Sequence, residues 1–510
     1  MPPSPTSYQR LLNRAIDLLG SPLVPIGGAL LLVLAAKLYL IAIAGNPTPF
    51  WDQWGGEAID LFIPYVDGRL TLADLISPHN EHRIFFTRLW ALLVLELAGN
   101  WNVLAEMIAN ALLHLGVLVL LAWLLRSLMA QAPWLMALFL ILLFAVPFGI
   151  ENTLWGFQSQ FYFVLLLSVP ALALLASAAA LSARWMVGLA LAMAAYFAMA
   201  SGALTPIGAA AVPIVQMLIG ARRRTPREVA GVAMLIGTTI LAIAVTTLPP
   251  DTGHSRAQDI GQWLSAFSRA AGWPLRGIIV APIVLNAPVL LLLWRLVRDK
   301  VEPRDAAWRL IAIAAWLALQ CASLAYGRAA AAVMSRYLDL LALGVIVNAA
   351  ALVRLSADAA AGRAQVAATA GWTAIVAALL ALSAAVTLPR FYLLDRAAAQ
   401  SRTEALSLFI RTDDVRAFVR PMFWAPTPFP ERLAAIVRRP EIAGLLPDQF
   451  GVSPAVRSAT RQRLALHGGL GLSPATTARL ALYAAAALFA AVAALWAAAA
   501  SLRLVYPPRP

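Results

Sequence analysis

The sequence predicts an all-α polytopic membrane protein with about 12 transmembrane helices, a large first external loop with interfacial helices, and a small external domain before the last span. Three observations predict it. Of 510 residues, 61% are apolar and 13% charged, with a mean hydropathy of +0.77, whereas soluble domains run at about 45–50% apolar and about 25% charged. Apolar runs near the roughly 20 residues that cross the hydrocarbon layer as a helix recur along the chain. Arginines cluster in alternate connections between those runs, as cytoplasmic loops require. The same composition excludes disorder, coiled coil, collagen and a disulfide scaffold. The single cysteine, Cys321, excludes a cysteine-rich metal site. In a soluble chain the net charge of +14 would suggest nucleic acid; here it marks membrane topology.

The expected spans are 23–44, 102–125, 133–150, 158–181, 185–201, 203–220, 229–248, 274–297, 307–326, 334–353, 368–388 and 480–502. The stretch 84–98 is short and carries Arg88 and Glu96, which suits a helix lying at the interface. Arg10 and Arg14 precede the first span and place the N-terminus in the cytoplasm. Alternate threading then puts Arg126, Arg184, Arg222 to Arg224, Arg298, Arg354 and Arg363 inside, and returns Arg503 and Arg509 to the cytoplasm. Ala42-Ile43-Ala44 resembles a signal-peptidase site, but the preceding apolar run suits an uncleaved anchor. Residues 1–388 form the expected transmembrane catalytic module, including the first external loop, 46–101. Residues 389–478, with twelve arginines against seven acids, form a mostly helical external domain, and 479–510 the last span and tail.

Ionisable groups in or beside spans are costly and therefore functional candidates. The first loop holds six acids against three arginines between 46 and 88. Asp52 follows the first span by about eight residues, between Trp51 and Trp54, and is expected at the headgroup level. An ordinary aromatic belt with a solvated acid is the plainer reading. The run His79-Asn80-Glu81-His82-Arg83 is neither His-Glu-x-x-His nor His-x-x-Glu-His. Pro78 suggests a helix start there, with His79 to Glu81 near its positive end, suited to an anion. His82 and Arg83 could bind phosphate, or a divalent cation could sit on Glu81, His79 and His82; a capped helix with solvated charges is the alternative. Glu106, Asn110 and His114 form one polar stripe of the second span. Glu151 and Gln158 fall at the next external turn, and Arg328, Arg336 and Tyr337 flank another. Two arginines at such a boundary can clamp a phosphate, though a single one is more often a snorkelling or interhelical polar residue. Lys37, in the outer half of the first span, is expected either to reach a lipid phosphate or to pair with Glu106.

These residues suit glycosyl transfer from a lipid-linked phosphate. A carboxylate deprotonates the acceptor hydroxyl, cations stabilise the departing phosphate, and an intramembrane groove holds the lipid tail. The architecture, together with the segment from Trp51 to Arg83, resembles the GT-C superfamily of membrane glycosyltransferases. That resemblance implies a GT-C-like fold, a polyprenyl-phosphate sugar donor and a glycan, lipid or protein acceptor. It implies inverting transfer at the extracytoplasmic face of a bacterial inner membrane, as part of cell-envelope synthesis, with Asp52 as base and the Arg328–Tyr337 turn on the phosphate. This chain has Asp52-Gln53 where the family pattern has paired acids, so Asp52, Glu57 and Glu81 all stay candidates for the base. A transporter or flippase of lipid-linked sugars, and a polysaccharide polymerase or ligase using a diphosphate-linked lipid, are the competing readings. Membrane lipids are expected partners and nucleic acid is not.

Overall fold

The computed structural model describes Leu19 and residues 21–129, 131–247, 255–275, 277–357, 362–419 and 430–505. The terminal arginines Arg10, Arg14 and Arg509 lie outside them, and of Arg503 only the backbone is described. Among the described residues the chain is all-helical, with no strand beyond one isolated bridge.

Among the described residues, ten helices are long and apolar enough to cross a membrane. The first, α1 (Leu23–Ala44), leads into a loop built on a π-helix, Gln53–Phe62. There follow α2 (Phe85–Ala98), α3 (Val103–Met129), α4 (Pro133–Leu140), α5 (Ser159–Ser177), α6 (Ala183–Ala198), α7 (Thr205–Leu218), α8 (Pro226–Ala244) and α9 (Ile260–Ala271). Then come α10 (Ala281–Arg298), α11 (Ala307–Gly327), α12 (Ser335–Ser356) and the 50-residue α13 (Arg363–Thr412). Short helices α14 (Pro430–Val437), α15 (Pro440–Leu445) and α16 (Pro454–Arg461) precede the closing α17 (Pro474–Val505). Two of the twelve expected spans are shorter apolar helices, Pro133–Ala145 and Ala183–Ala198. The first last-to-first contact is close: Gly28 on α1 lies under the Trp496 indole of α17, where a Cβ has no room.

The apolar core divides into two large clusters. One fills the bundle from Ile26 on α1 to Leu380 on α13, with Trp308, Trp316, Phe139 and Tyr162 fully buried. The other joins the C-terminal half of α1 and the π-helix to Leu406, Phe418, Leu433, Ile442 and Phe450. The region expected as a separate domain at 389–478 therefore shares a core with the first loop. Its chain also begins inside a helix, because α13 runs on through Pro389 for about 75 Å in all at 1.5 Å per residue.

Polar contacts reinforce that junction. Glu96 on α2 accepts the amides of Ala465 at 3.0 Å and Leu466 at 2.6 Å, and the Tyr65 hydroxyl at 2.6 Å. Arg88 donates to the carbonyls of Leu75 and Ser77 at 3.0 and 2.7 Å. Both charges that made 84–98 look interfacial are thus consumed inside the protein.

Candidate active site

Loop backbone, more than helix, sets the positions of the site. Trp51 takes a left-handed φ of +52°, an outlier for a bulky residue that neighbouring packing must hold. That packing is visible. Phe50 and Trp155 lie 5.7 and 6.5 Å from the Trp51 ring, and the Trp155 indole donates to the Phe50 carbonyl at 3.1 Å. The turn delivers Asp52 to the start of the π-helix, a helix type found mostly at functional sites. Trp54, expected beside Trp51 in an interfacial belt, is instead 1% exposed and packs edge-on to Trp101.

The His79–Arg83 run is a tight turn, which corrects the expected helix. His79 and His82 exchange both backbone hydrogen bonds, at 2.7 and 3.0 Å, and Asn80 has φ +53°. Asparagine tolerates that conformation better than most residues. Pro78 therefore opens no helix here, and the anion site expected from a helix dipole does not form. The turn instead directs the side chains apart. The His79 ring sits between Asp52, at 3.8 Å, and Asp60, at 3.9 Å. His82 lies 3.6 Å from Glu81, and Glu81 accepts from Arg328 at 2.5 Å.

One cavity of about 470 Å³ joins these groups. Asp52, His79, Glu81, His82, Gln158, Arg328, Arg336 and Tyr337 all line it. Three guanidiniums, including Arg256, face two carboxylates around it. Three spans and a turn bring residues to its wall: α5 Phe161, α11 Gln320, α12 Tyr337, and the turn after α6 Met199 to Ser201.

Electrostatics sort the turn's residues. Burial pulls the His79 imidazole down, but the nearby carboxylates of Asp52 and Asp60 outweigh it and raise its pKa to about 9. His79 is therefore a cation at neutral pH. Burial holds His82 below the ordinary imidazole range, against the pull of Glu81. Burial would raise Glu81, yet His82 and Arg328 hold it below its usual value and ionised.

The other candidates lie elsewhere. Glu57 is 2% exposed and does not line the cavity. Its carboxylate and that of Glu106 share the Gln53 amide, at 3.0 and 2.8 Å, and Trp101 donates to Glu57 at 3.2 Å. Burial raises the Glu57 pKa to about 8. Asn110 donates to the Gly156 carbonyl at 2.6 Å, and His114 stacks on Tyr162 at 4.4 Å; both are buried. Lys37 donates to Thr153 at 2.8 Å, so it meets neither Glu106 nor the cavity. Arg83 braces the fold, donating to the Ile76 and Val245 carbonyls at 3.0 and 3.4 Å and to the Tyr196 hydroxyl at 3.4 Å. Glu151 accepts from Ser335 at 2.7 Å and from the Arg336 amide at 2.9 Å.

Asp60 and Asp339 were missed. Asp60 lies in the π-helix, eight residues after Asp52, with no pattern to mark it. Asp339 left a signal, being an acid inside the apolar run of α12; it accepts from Asn152 and Tyr162, each at 3.0 Å. Among the described residues no group of three or more His, Cys, Asp or Glu side chains is arranged to hold a metal ion. His79 turns to Asp52 and Asp60 while His82 and Glu81 turn to Arg328.

No protein-family model, curated protein or solved structure matches this chain.

Proposed function

We propose that the protein is a membrane glycosyltransferase of GT-C type that moves a sugar from a polyprenyl-phosphate donor to an acceptor hydroxyl, with inversion. The observation that carries this reading is the cavity itself. At one end of an apolar helical bundle it exposes a carboxylate, Asp52, beside a cationic histidine and in a chamber bordered by guanidiniums. In this reading the cavity opens at the extracytoplasmic face, with both termini in the cytoplasm.

Asp52 takes the proton of the acceptor hydroxyl, whose oxygen forms a bond to the anomeric carbon as the bond from that carbon to the phosphate oxygen breaks. The phosphate leaves with the electron pair, and Arg336 lowers the cost of that charge. His79 fixes the Asp52 carboxylate against Asp60 and discourages its rotation. Glu81 is a poorer base, because Arg328 already occupies it. Glu57 is sealed from the cavity.

The test uses the purified full chain in nanodiscs with radiolabelled polyprenyl-phosphate sugars and a cell-envelope acceptor fraction, with and without a chelator. Release of polyprenyl phosphate coupled to sugar transfer, lost in Asp52→Asn, is the expected result. Transfer by Asp52→Asn at the parent rate removes Asp52 as base. Flipping of intact donor across a vesicle with no transfer to any acceptor overturns the enzyme reading.

A further inference from the structure

Beside the polar cavity lies a second one of about 320 Å³, and its lining has another chemistry. Three guanidiniums, Arg336, Arg396 and Arg402, border it against one carboxylate, Glu151. That carboxylate is already committed to Ser335, to the Arg336 amide and to the Arg336 guanidinium at 3.3 Å. The rest of the wall is aromatic and aliphatic, with Phe50, Trp51, Trp155 and Ile150.

The arginines are held in a specific attitude. Arg402 lies over the Phe50 ring at 4.1 Å and Arg336 over Trp155 at 5.5 Å. A guanidinium stacked by its face keeps its N–H donors in the plane at its edge, where they suit a phosphate. The Arg336 Nε is buried with no hydrogen-bond partner. Helix α13 is itself pinned at this point. Asn46 donates to the Ala399 carbonyl at 2.9 Å and to the Thr403 hydroxyl at 2.8 Å, and Thr48 meets Thr403 at 2.8 Å. Arg396, Ala399, Arg402 and Thr403 share one helical face, so that docking turns both arginines toward the pocket. Arg336 lines both cavities, so the two chambers meet at one side chain.

We propose that this arginine–aromatic pocket is the seat of a phosphate ester carrying an apolar chain, with Arg396 and Arg402 of α13 as its principal ligands. The guanidiniums take the phosphate, and the aromatic wall takes the first carbons of the chain. The polar cavity is left for the groups that exchange the sugar. This deepens the transferase reading by locating the lipid phosphate and rests on that reading for its biological meaning, but its test needs no turnover.

The test is direct binding to the full chain in detergent, with farnesyl phosphate as the probe and farnesol and inorganic phosphate as controls, read by tryptophan fluorescence because Trp51 and Trp155 line the pocket. Farnesyl phosphate is expected to bind tighter than either control by tenfold or more. The double variant R396Q/R402Q is expected to weaken it at least tenfold, R402K to restore most of the loss, and E81Q to leave it within twofold. Unchanged affinity in R396Q/R402Q with an unaltered melting temperature overturns the seat, as does equal binding of farnesol. Equal binding of inorganic phosphate, lost in the same variant, overturns the lipid source in favour of a free phosphate. A chain that binds as expected but transfers no sugar keeps the seat and sinks the transferase. A chain that transfers sugar while R396Q/R402Q binds normally does the reverse.

Discussion

Asp52 and Glu57 stand five residues apart in one loop, and the structure treats them oppositely. Asp52 opens to a chamber of about 470 Å³ and faces a histidine cation. Glu57, on the buried face of the π-helix, shares an amide with a second carboxylate and has no route to that chamber. Both were candidate bases on sequence alone. An acid becomes useful to a substrate through access and a counter-charge, whereas an acid sealed beside another acid becomes a proton-holding strut.

The sharpest way to break this contrast is Asp52→Asn. Loss of a positioned base costs about 10²–10⁴-fold in rate, and the isosteric amide should leave the melting temperature within a few degrees. Sugar transfer in nanodiscs, measured beside a thermal melt, decides it. A retained rate with an intact fold would mean that the open chamber does not hold the base.

Next in size is the pair at the back of the same chamber. Removing either Glu81 or Arg328 leaves its partner's charge uncompensated at a half-buried site, 18% and 33% exposed. After discounting for solvent, about 1–2 kcal/mol of stability should go with each single change. The double variant Glu81→Gln with Arg328→Gln should lose less than the two singles together. Additive losses in a denaturation cycle would show that the pair is not coupled.

His79 supplies a pH test of the chamber. Its folded pKa, about 9, lies above the unfolded value near 6.5. The folded state therefore holds a proton that the unfolded chain gives up. The stabilisation is complete below about pH 6.5 and is lost as pH rises through about 9. His79→Gln should melt lower than the parent at pH 6 and converge with it near pH 10. A gap of constant size across that range would place the imidazole away from Asp52 and Asp60.

Much of the bundle was legible because hydropathy reports burial in lipid directly. Every expected span has a helix at its centre, and the two that fall short are still apolar helices. The site was legible as a list of residues but not as an arrangement. Pro78 suggests a helix start at His79 to Arg83, whereas a turn closed by two backbone hydrogen bonds leaves no pattern in the sequence. Sequence leaves Lys37 between a lipid phosphate and Glu106, but its partner is neither: it donates to the Thr153 hydroxyl, on a short helix after α4. Arg396 and Arg402 carried no individual signal among the twelve arginines of 389–478, because only the docking of α13 by Asn46 and Thr48 gives their face a target.

The smallest expected effect tests the other half of the contrast. With a pKa near 8, Glu57 carries a proton at neutral pH, so Glu57→Gln exchanges one neutral hydrogen-bonding group for another of the same shape. Transfer activity at pH 7 should stay within about twofold, since no charge is lost at the chamber. Stability should respond to pH instead. Between about pH 4.5 and 8 the folded parent keeps this proton while the unfolded chain releases it, so the parent loses stability as pH rises through that window. The variant has no proton to lose there, and its melting curve should be flatter from pH 5 to 8. The double variant Glu57→Gln with His79→Gln should be flatter still above pH 6.5, because the His79 proton is removed as well. An inactive Glu57→Gln with an unaltered melt would put the working acid on the sealed side. The division between an open base and a closed strut would then have to be drawn the other way round.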